Sequence, residues 1–297
     1  MDRLLIVDGH AYAYRAFHAI RDLRSSEGRP TNAIYGFVKM LSKLRVAVEP
    51  THVMVVWDGG LSAERVARWP AYKAQRPGMP DDLKLQLDEI VHYLSAAGVA
   101  SFCREGVEAD DYIACLARRA VDADMTVVIA SPDKDFMQLV SERVGLSNPN
   151  DPVSRDGTIW TEGQVRAKAG VGSSQIVDWL SLMGDTVDNI PGVPGVGPKT
   201  AAELLNQFGS VAVLYERLDE VKSERLRAAL SAAADAVRRN RELVRLQDDL
   251  PCEFLPAALA GRPADVVRLR ELYERWGFKG MLAALEELPR ERQIVLI

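Results

Sequence analysis

The chain has 297 residues, of which 47% are apolar and 27% charged, the composition of a globular protein large enough for two domains. No apolar run approaches the roughly 20 residues that span a bilayer, and the first apolar run is too short for a signal peptide. The net charge of −5, taken alone, argues against a nucleic-acid partner. The scattered Cys103, Cys115 and Cys252 indicate reduced thiols in a cytoplasmic protein, with neither a disulfide framework nor a zinc site.

Four short apolar, β-branched runs divide the first part of the chain: 4–7, 52–57, 99–103 and 126–130. Segments of helical length separate them, and apolar residues recur at helical spacing between 81 and 97. Strands that alternate with helices in this way predict an α/β fold with a parallel sheet and crossover helices.

A carboxylate follows each run, at once or after a short turn. These acids are Asp8, Asp58, Glu108, Asp110, Asp111, Asp133 and Asp135. The carboxyl ends of parallel strands share one edge of a sheet, so the acids are expected to converge there. Taken singly, each acid has an ordinary explanation as a turn former, a helix N-cap (Asp135) or a first-turn acid (108–111). Taken together, they would repel one another unless something positive lay among them.

Oxygen ligands at this density suit a hard cation, and the four unclustered histidines disfavour zinc. Magnesium or manganese is therefore the expected metal. The number of acids allows a pair of ions about 4 Å apart, the arrangement used for phosphodiester chemistry.

A second acidic group, Asp185 and Asp188, precedes a glycine-rich turn, and the two acids would share a face if this segment were helical. A helix is predicted over 199–208. The exposed backbone N–H groups of the turn and the helix start would form a phosphate cradle, whose residues are Gly192, Gly195, Gly197, Lys199 and Thr200. A helical corner without a ligand is the alternative. Pro198 interrupts the Gly-Lys-Thr order of a P-loop, which excludes nucleotide hydrolysis by that motif.

Two segments are basic. Residues 59–80 carry a charge of +3 and include Trp69 and Tyr72, which fits either a single-strand surface or a solvated loop. Residues 222–245 carry +4, which fits either a solvated helix face or a patch for a duplex backbone. Removing the nine acids of the two acidic groups changes the net charge from −5 to +4, so the acidic average does not exclude DNA.

A final amphipathic helix is predicted over 269–288.

Six segments together resemble the structure-specific 5′ nucleases, above all the 5′→3′ exonuclease domain of bacterial DNA polymerase I. They are VDGHAYAYRAFHA (7–19), VVWDG (55–59), YKAQRPGMP (72–80), VEADDYIA (107–114), SPDKDFMQL (131–139) and MGDTVDNIPGVPGVGPKTA (183–201). The resemblance implies a PIN-like nuclease core over 1–170, with a helical arch at about 59–90. It also implies a helix-3-turn-helix (helix-hairpin-helix) domain with C-terminal helices over 171–297, and a potassium ion at the hairpin.

The resemblance also implies residue roles. Asp8, Asp58, Glu108 and Asp110 would serve a first metal, Asp133, Asp135, Asp185 and Asp188 a second, and Asp111 would lie between them or in the outer shell. Lys73 and Arg76 would neutralise the scissile phosphate at the base of the arch. Tyr72 would contact the nucleotide at the cut, and Arg15 the 5′ strand. Pro132 stands where the family usually has a small residue, which would stiffen this turn.

The function that follows is a two-metal DNA 5′ nuclease, with Mg²⁺ or Mn²⁺, acting in replication and repair. Its substrates would be DNA with 5′ flaps, nicks or 5′ overhangs, including RNA primer segments. We expect a cytoplasmic monomer that works with a DNA polymerase and not with a membrane. The alternatives are a non-catalytic DNA-junction binder and an RNA-directed PIN nuclease, although such nucleases generally lack the hairpin.

Overall fold

The computed structural model describes residues 1–149 and 158–287. Its centre is a five-stranded parallel sheet in the order β3-β2-β1-β4-β5. The strands are β1 (Arg3–Asp8), β2 (His52–Trp57), β3 (Ala100–Cys103), β4 (Thr126–Ala130) and β5 (Val144–Ser147). The four strands predicted from sequence are confirmed, whereas β5 was not predicted.

Helices cover both faces of the sheet. The first half of the chain contributes α1 (Gly9–Ala19), α2 (Asn32–Val48), α3 (Ala63–Arg68), α4 (Asp81–Ala96) and α5 (Ala109–Asp122). Alternate residues of β1 point to opposite cores: Leu5 and Val7 pack with α1, α2 and α4, whereas Leu4 and Ile6 pack with α5. Burial on both faces explains why the strands are continuous apolar runs.

The second half is largely helical. Its helices are α6 (Glu162–Ala169), α7 (Ile176–Met183), α8 (Pro198–Phe208), α9 (Val211–Glu216), α10 (Glu224–Ala232), α11 (Ala234–Val244), α12 (Pro256–Leu259), α13 (Val266–Trp276) and α14 (Lys279–Glu286). Helices α7 to α11 continue the core formed by α5 and the sheet. The predicted α/β class with a helical second part is therefore confirmed. None of the described helices is long and apolar enough to cross a membrane.

Two segments differ from the sequence predictions. Asp185 lies in a short antiparallel hairpin, β6 (Gly184–Asp185) and β7 (Ile190–Pro191), and Asp188 in its turn, so the two acids do not share a helix. The predicted helix over 269–288 is split at Gly277, whose φ of 76° ends α13, and Leu288 lies outside the described residues.

The last two helices, α13 and α14, pack against helices of the first half of the chain. Leu272, Tyr273 and Met281 join the core formed by α2 and α4, although sequence grouped these helices with the second domain. Packing therefore ties the end of the chain to its first half.

The 59–90 segment, expected as an arch, contains α3, the residues 69–76 and the first half of α4. We call residues 69–76 the linking turn. Arg65, Tyr72 and Lys73 are all buried, so the segment from α3 through Lys73 packs on its neighbours instead of forming a solvated loop.

Candidate active site

The strand ends bring the first acids together. Asp8 ends β1, and its carboxylate caps α1 by accepting from the Ala11 N–H at 3.0 Å. Ser131, just after β4, donates its hydroxyl to Asp8 at 2.8 Å and accepts from the Asp133 N–H at 3.1 Å. Asp58, just after β2, accepts from the N–H of Ala109 at the start of α5, at 3.3 Å. Convergence at one sheet edge is therefore observed, and the capping role of Asp8 coexists with it.

Burial and mutual repulsion affect the protonation of this first group. Burial raises the pKa of Asp8 to about 6, and the charges of Asp133 and Asp58 add to the rise, although two hydrogen bonds oppose it. Burial also raises the pKa of Asp110 well above its usual value, reinforced by the charges of Asp133 and Asp8. Such shifts are expected where carboxylates crowd together without a compensating cation.

In contrast to Asp8 and Asp110, Glu108 has a lowered pKa. Burial raises its pKa, but the nearby charges of Lys73 and Arg65 outweigh that effect and lower it overall. Its carboxylate accepts from the Ser62 N–H at 2.9 Å, from the Tyr72 hydroxyl at 3.0 Å and from Lys73 Nζ at 2.5 Å. Glu108 is thus held ionised and fixed.

A second group forms where the β6–β7 hairpin meets the turn after β4. Carboxylate oxygens of Asp135, Asp185 and Asp188 all lie within 4.8 Å of one another. Asp133 caps the short 3₁₀ helix Lys134–Leu139 by accepting from the Asp135 N–H, so the N-cap is Asp133 and the alternative of Asp135 as the cap is wrong. Asp135 Oδ1 is buried and has no hydrogen-bond partner. Burial, with the charge of Asp133, raises the pKa of Asp135 well above its usual value. This geometry and chemistry suit a hard cation.

Three cations lie among these acids. Lys73 Nζ is 3.9 Å from carboxylate oxygens of both Asp110 and Asp188, besides its contact with Glu108. Arg76 pairs with Asp188 at 2.5 Å, and Lys134 Nζ pairs with Asp185 at 2.6 Å. Lys134 was not singled out from sequence, although its position between Asp133 and Asp135 in SPDKD was a signal.

Two predicted site residues face other surroundings than expected. Tyr72 is 4% exposed with its hydroxyl on Glu108, so in this conformation it contacts a carboxylate and not an open substrate face. Asp111 forms a bidentate pair with the buried Arg65 at 2.6 and 2.7 Å and accepts from the Gln247 N–H. Asp111 is therefore not a direct ligand in this geometry, which agrees with the outer-shell alternative.

Arg65 is the residue of this neighbourhood that sequence reasoning missed. It also contacts Glu108 at 3.3 Å, and it donates to the carbonyls of Leu243 and Arg245 at 3.0 Å each. Arg15 lies half-buried on α1, where its charge opposes the burial-driven rise in the pKa of Tyr12.

The glycine-rich turn joins the hairpin to α8. A Cβ on Gly192 would lie 2.2 Å from the Met183 carbonyl, so glycine is required there, whereas Gly197 has open space and caps α8. Gly195 has a φ of 82°. Lys199 is exposed and Thr200 half-buried at the start of α8, whose free N–H groups favour an anion.

Two family models match consecutive parts of the chain. The model of the 5′-3′ exonuclease N-terminal resolvase-like domain matches residues 3–170, and that of the 5′-3′ exonuclease C-terminal SAM fold matches residues 171–266. The chain is 38% identical over 292 residues to a 5′-3′ exonuclease of Aquifex aeolicus, covering 98% of each. It is 36% identical over 291 residues to DNA polymerase I of Bacillus caldotenax, covering 98% of this chain but 33% of that protein.

Solved structures with the same fold include nucleases. The flap endonuclease of bacteriophage T5, in a complex with DNA and metal ions, superposes with a TM-score of 0.67 at 21% identity, over 96% of this chain and 100% of that chain. The catalytic core of Rad2 with a DNA substrate gives 0.64 at 15% identity, over 96% and 92%. With both family models matched in order, the resemblance found in the sequence is confirmed, and the chain belongs to the 5′-3′ exonuclease family of nucleases.

Proposed function

We propose that this protein is a metal-dependent DNA 5′ nuclease that removes 5′ flaps and nucleotides next to nicks, leaving a 5′-phosphate and a 3′-hydroxyl. The observation that carries the proposal is the cluster of Asp135, Asp185 and Asp188 beside the first acidic group, in which the buried Asp135 Oδ1 accepts no hydrogen bond. The T5 and Rad2 structures, which hold DNA, support the choice of substrate.

Two divalent ions, Mg²⁺ or Mn²⁺, fit the acids. Asp8, Asp58, Glu108 and Asp110 would hold one, and Asp133, Asp135, Asp185 and Asp188 the other. Bound there, such ions supply an activated water and stabilise the leaving oxygen. Burial and crowding raise the pKa of Asp135, and its buried Oδ1 has no hydrogen-bond donor among the described residues and only Lys134 Nζ at 4.0 Å, so a bound cation would stabilise its ionised form.

The chain's own side chains have supporting roles. Lys73 and Arg76 lie against the acids, and they would neutralise the phosphate at the cut once the acids are otherwise compensated. Tyr72 and Arg65 hold Glu108 in place, and Asp111 compensates Arg65. Arg15 would contact the 5′ strand.

The glycine-rich turn would bind the duplex without reading its sequence. Backbone N–H groups around Gly192, Gly195 and Gly197, with Lys199 and Thr200, would contact phosphates at the start of α8. The residues of this turn would also hold a potassium ion, which would add positive charge for the DNA backbone.

The cellular setting completes the proposal. Several relatives are named DNA polymerase I, and the chain spans about a third of their length. We propose that it acts in the cytoplasm as a monomer, together with a DNA polymerase. Its substrates would be DNA flaps, nicks and 5′ overhangs with RNA primer segments, and residues 1–170 and 171–297 would be its two domains.

Cleavage of a 5′-labelled flap, with and without magnesium, tests the proposal. Wild type should release a short 5′ fragment only with magnesium. Asp185→Asn should cut on the order of a hundredfold more slowly or not at all, because the second group loses a ligand. Its affinity for the flap in calcium should be equal or higher, since a negative charge near the phosphates is removed.

Asp235→Asn is the matched control, because Asp235 on α11 is exposed, pairs with Arg238 at 2.9 Å and belongs to neither acidic group. It should cut like wild type. If wild type binds the flap in calcium yet never cuts it in magnesium or manganese, the protein is a junction binder and the proposal is wrong.

A further inference from the structure

The linking turn is attached to the second half of the chain by an aromatic stack. Trp69 ends α3 as its C-cap, and the guanidinium of Arg239 on α11 lies 4.0 Å from the centre of its indole ring. Arg239 Nε is buried with no hydrogen-bond partner, and Nη2 makes one long contact of 3.4 Å with Asn240. The aromatic face of Trp69 is thus the principal neighbour of this cation.

The same indole is fixed to the hairpin that carries two of the acids. Trp69 Nε1 donates to the Asn189 carbonyl at 2.9 Å, and the Asn189 side chain donates to the Ala71 carbonyl at 2.8 Å. Asn189 directly follows Asp188, whose carbonyl accepts from the Lys73 N–H at 3.0 Å. The linking turn and the hairpin are therefore held together at three successive points.

These contacts determine where Lys73 lies. The Tyr72 N–H donates to the Trp69 carbonyl at 2.8 Å, which closes a turn that begins at Trp69. Lys73 directly follows this turn, so the position of Trp69 sets the position of Lys73. Lys73 has a φ of 53°, a left-handed conformation that a residue with a side chain adopts only when its surroundings enforce it. Its ammonium then meets Glu108, Asp110 and Asp188. A tilt of Trp69 would move this ammonium away from the acids.

We propose that Arg239 and Trp69 are positioning residues, forming a latch through which α11 of the second domain holds Lys73 and Tyr72 at the cleavage centre. The inference rests on the proposed function. Neither residue touches the acids itself, and both act through the linking turn.

Single-turnover cleavage of a 5′-flap DNA in magnesium, with the Kd of the same DNA in calcium, tests the latch. Arg239→Gln and Trp69→Leu should each lower the cleavage rate about tenfold, because small misplacements of a catalytic group are costly in rate. The Kd should change by less than about twofold, since no DNA-binding group is lost. The double variant should be no slower than Trp69→Leu alone, because Trp69→Leu already removes the stack with Arg239 as well as the hydrogen bond to Asn189.

Two further variants separate positioning from general destabilisation. Arg239→Lys keeps a cation over the ring and should restore most of the rate. Arg217→Gln removes a similar contact, since Arg217 lies 5.6 Å from the ring centre of Phe208 within the second domain, and it should cut like wild type.

An unchanged rate in Arg239→Gln, additive losses in the double variant, or a loss confined to Kd would each overturn the latch. A rate loss matched by Arg217→Gln would do the same, because it would indicate a general effect on the domain. A wild type that does not cut would overturn the proposed function and the latch together, whereas a cutting wild type with unaffected variants would overturn the latch alone.

Discussion

Asp110 and Asp111 are adjacent in sequence, yet they face different surroundings because successive residues of a helix point about 100° apart. The Asp110 carboxylate lies near Asp8, Asp133 and Glu108, whose charges raise its pKa. Asp111 is 2% exposed and paired with Arg65 on the other side. One residue is therefore suited to a metal and its neighbour to a buried ion pair.

Substitution should separate the two roles. Asp111→Ala should lower the free energy of unfolding by about 3–5 kcal/mol, because Arg65 would be left buried without its main counterion. Asp110→Ala should leave the metal-free protein as stable as wild type or more so, since it relieves repulsion. Urea unfolding in EDTA measures both. A loss of less than about 1 kcal/mol in Asp111→Ala, with loss of manganese binding, would instead make Asp111 a direct ligand.

At the level of elements, the short hairpin β6–β7 contributes two candidate metal ligands from outside the main sheet. It has two residues in each strand and carries Asp185 and Asp188. It is held where Gly184 and Gly192 let the two backbones approach, since a Cβ on either would collide with the other segment.

Gly192→Ala should therefore destabilise the protein by at least about 1–3 kcal/mol, the usual cost of forcing extra atoms into a packed contact. Gly197→Ala is the matched control, because its added Cβ would meet nothing within 4 Å and its φ of −100° suits alanine. The melting temperatures of the two variants, compared with that of the wild type, test this prediction. Equal stabilities would show that the hairpin can shift to accept a side chain.

The elements that sequence predicted are those whose cause is local. Strands β1, β2 and β4 are unbroken apolar runs because both their faces are buried, and their ends locate the acids. Strand β5 was not predicted, because Gly145 and Ser147 interrupt its apolar pattern. The break between α13 and α14 was not predicted either, because the apolar periodicity continues across Gly277. The helix ends there because of the backbone conformation of that glycine.

The remainder of the site depends on partners distant in the chain. That the acids after β1, β2 and β4 lie at one edge could be predicted, because the ends of parallel strands converge by topology. That Asp185 and Asp188 reach this edge from a short hairpin could not, since the spacing of the two acids suggested a helix. That Asp111 faces Arg65, that Lys134 reaches Asp185, and that Arg239 stacks on Trp69 are consequences of tertiary packing. Neither periodicity nor residue type indicates such pairs.

At the level of the whole molecule, the acids oppose folding at neutral pH. Burial raises the pKa of Asp8 to about 6, and burial together with neighbouring carboxylates raises those of Asp110 and Asp135 well above the ordinary value. A carboxyl whose pKa is higher in the folded state stabilises the fold below its unfolded pKa, about 4, and loses that contribution as pH rises through the folded value. Glu108 has the opposite sign, but its contribution is lost only at more acidic pH.

Metal should therefore stabilise the protein most where these acids are ionised. In EDTA, the melting temperature should fall as pH rises from about 4.5 to 7, and the gain on adding magnesium should be several degrees larger at about pH 7.5 than at about pH 5.5. Asp8→Asn should flatten the dependence in EDTA. An equal gain from magnesium at both pH values would contradict the link between these carboxylates and the metal.

The acids are spread along the chain from Asp8 to Asp188, and this order has a consequence for biosynthesis. A nascent polypeptide that has emerged only as far as residue 170 contains the strand-end acids, but it lacks Asp185, Asp188 and the hairpin that anchors Lys73. In the proposed assignment, the second metal group is therefore completed only by residues translated after the whole of the sheet. A chain that ended at residue 170 would lack two of its four acids, Asp185 and Asp188.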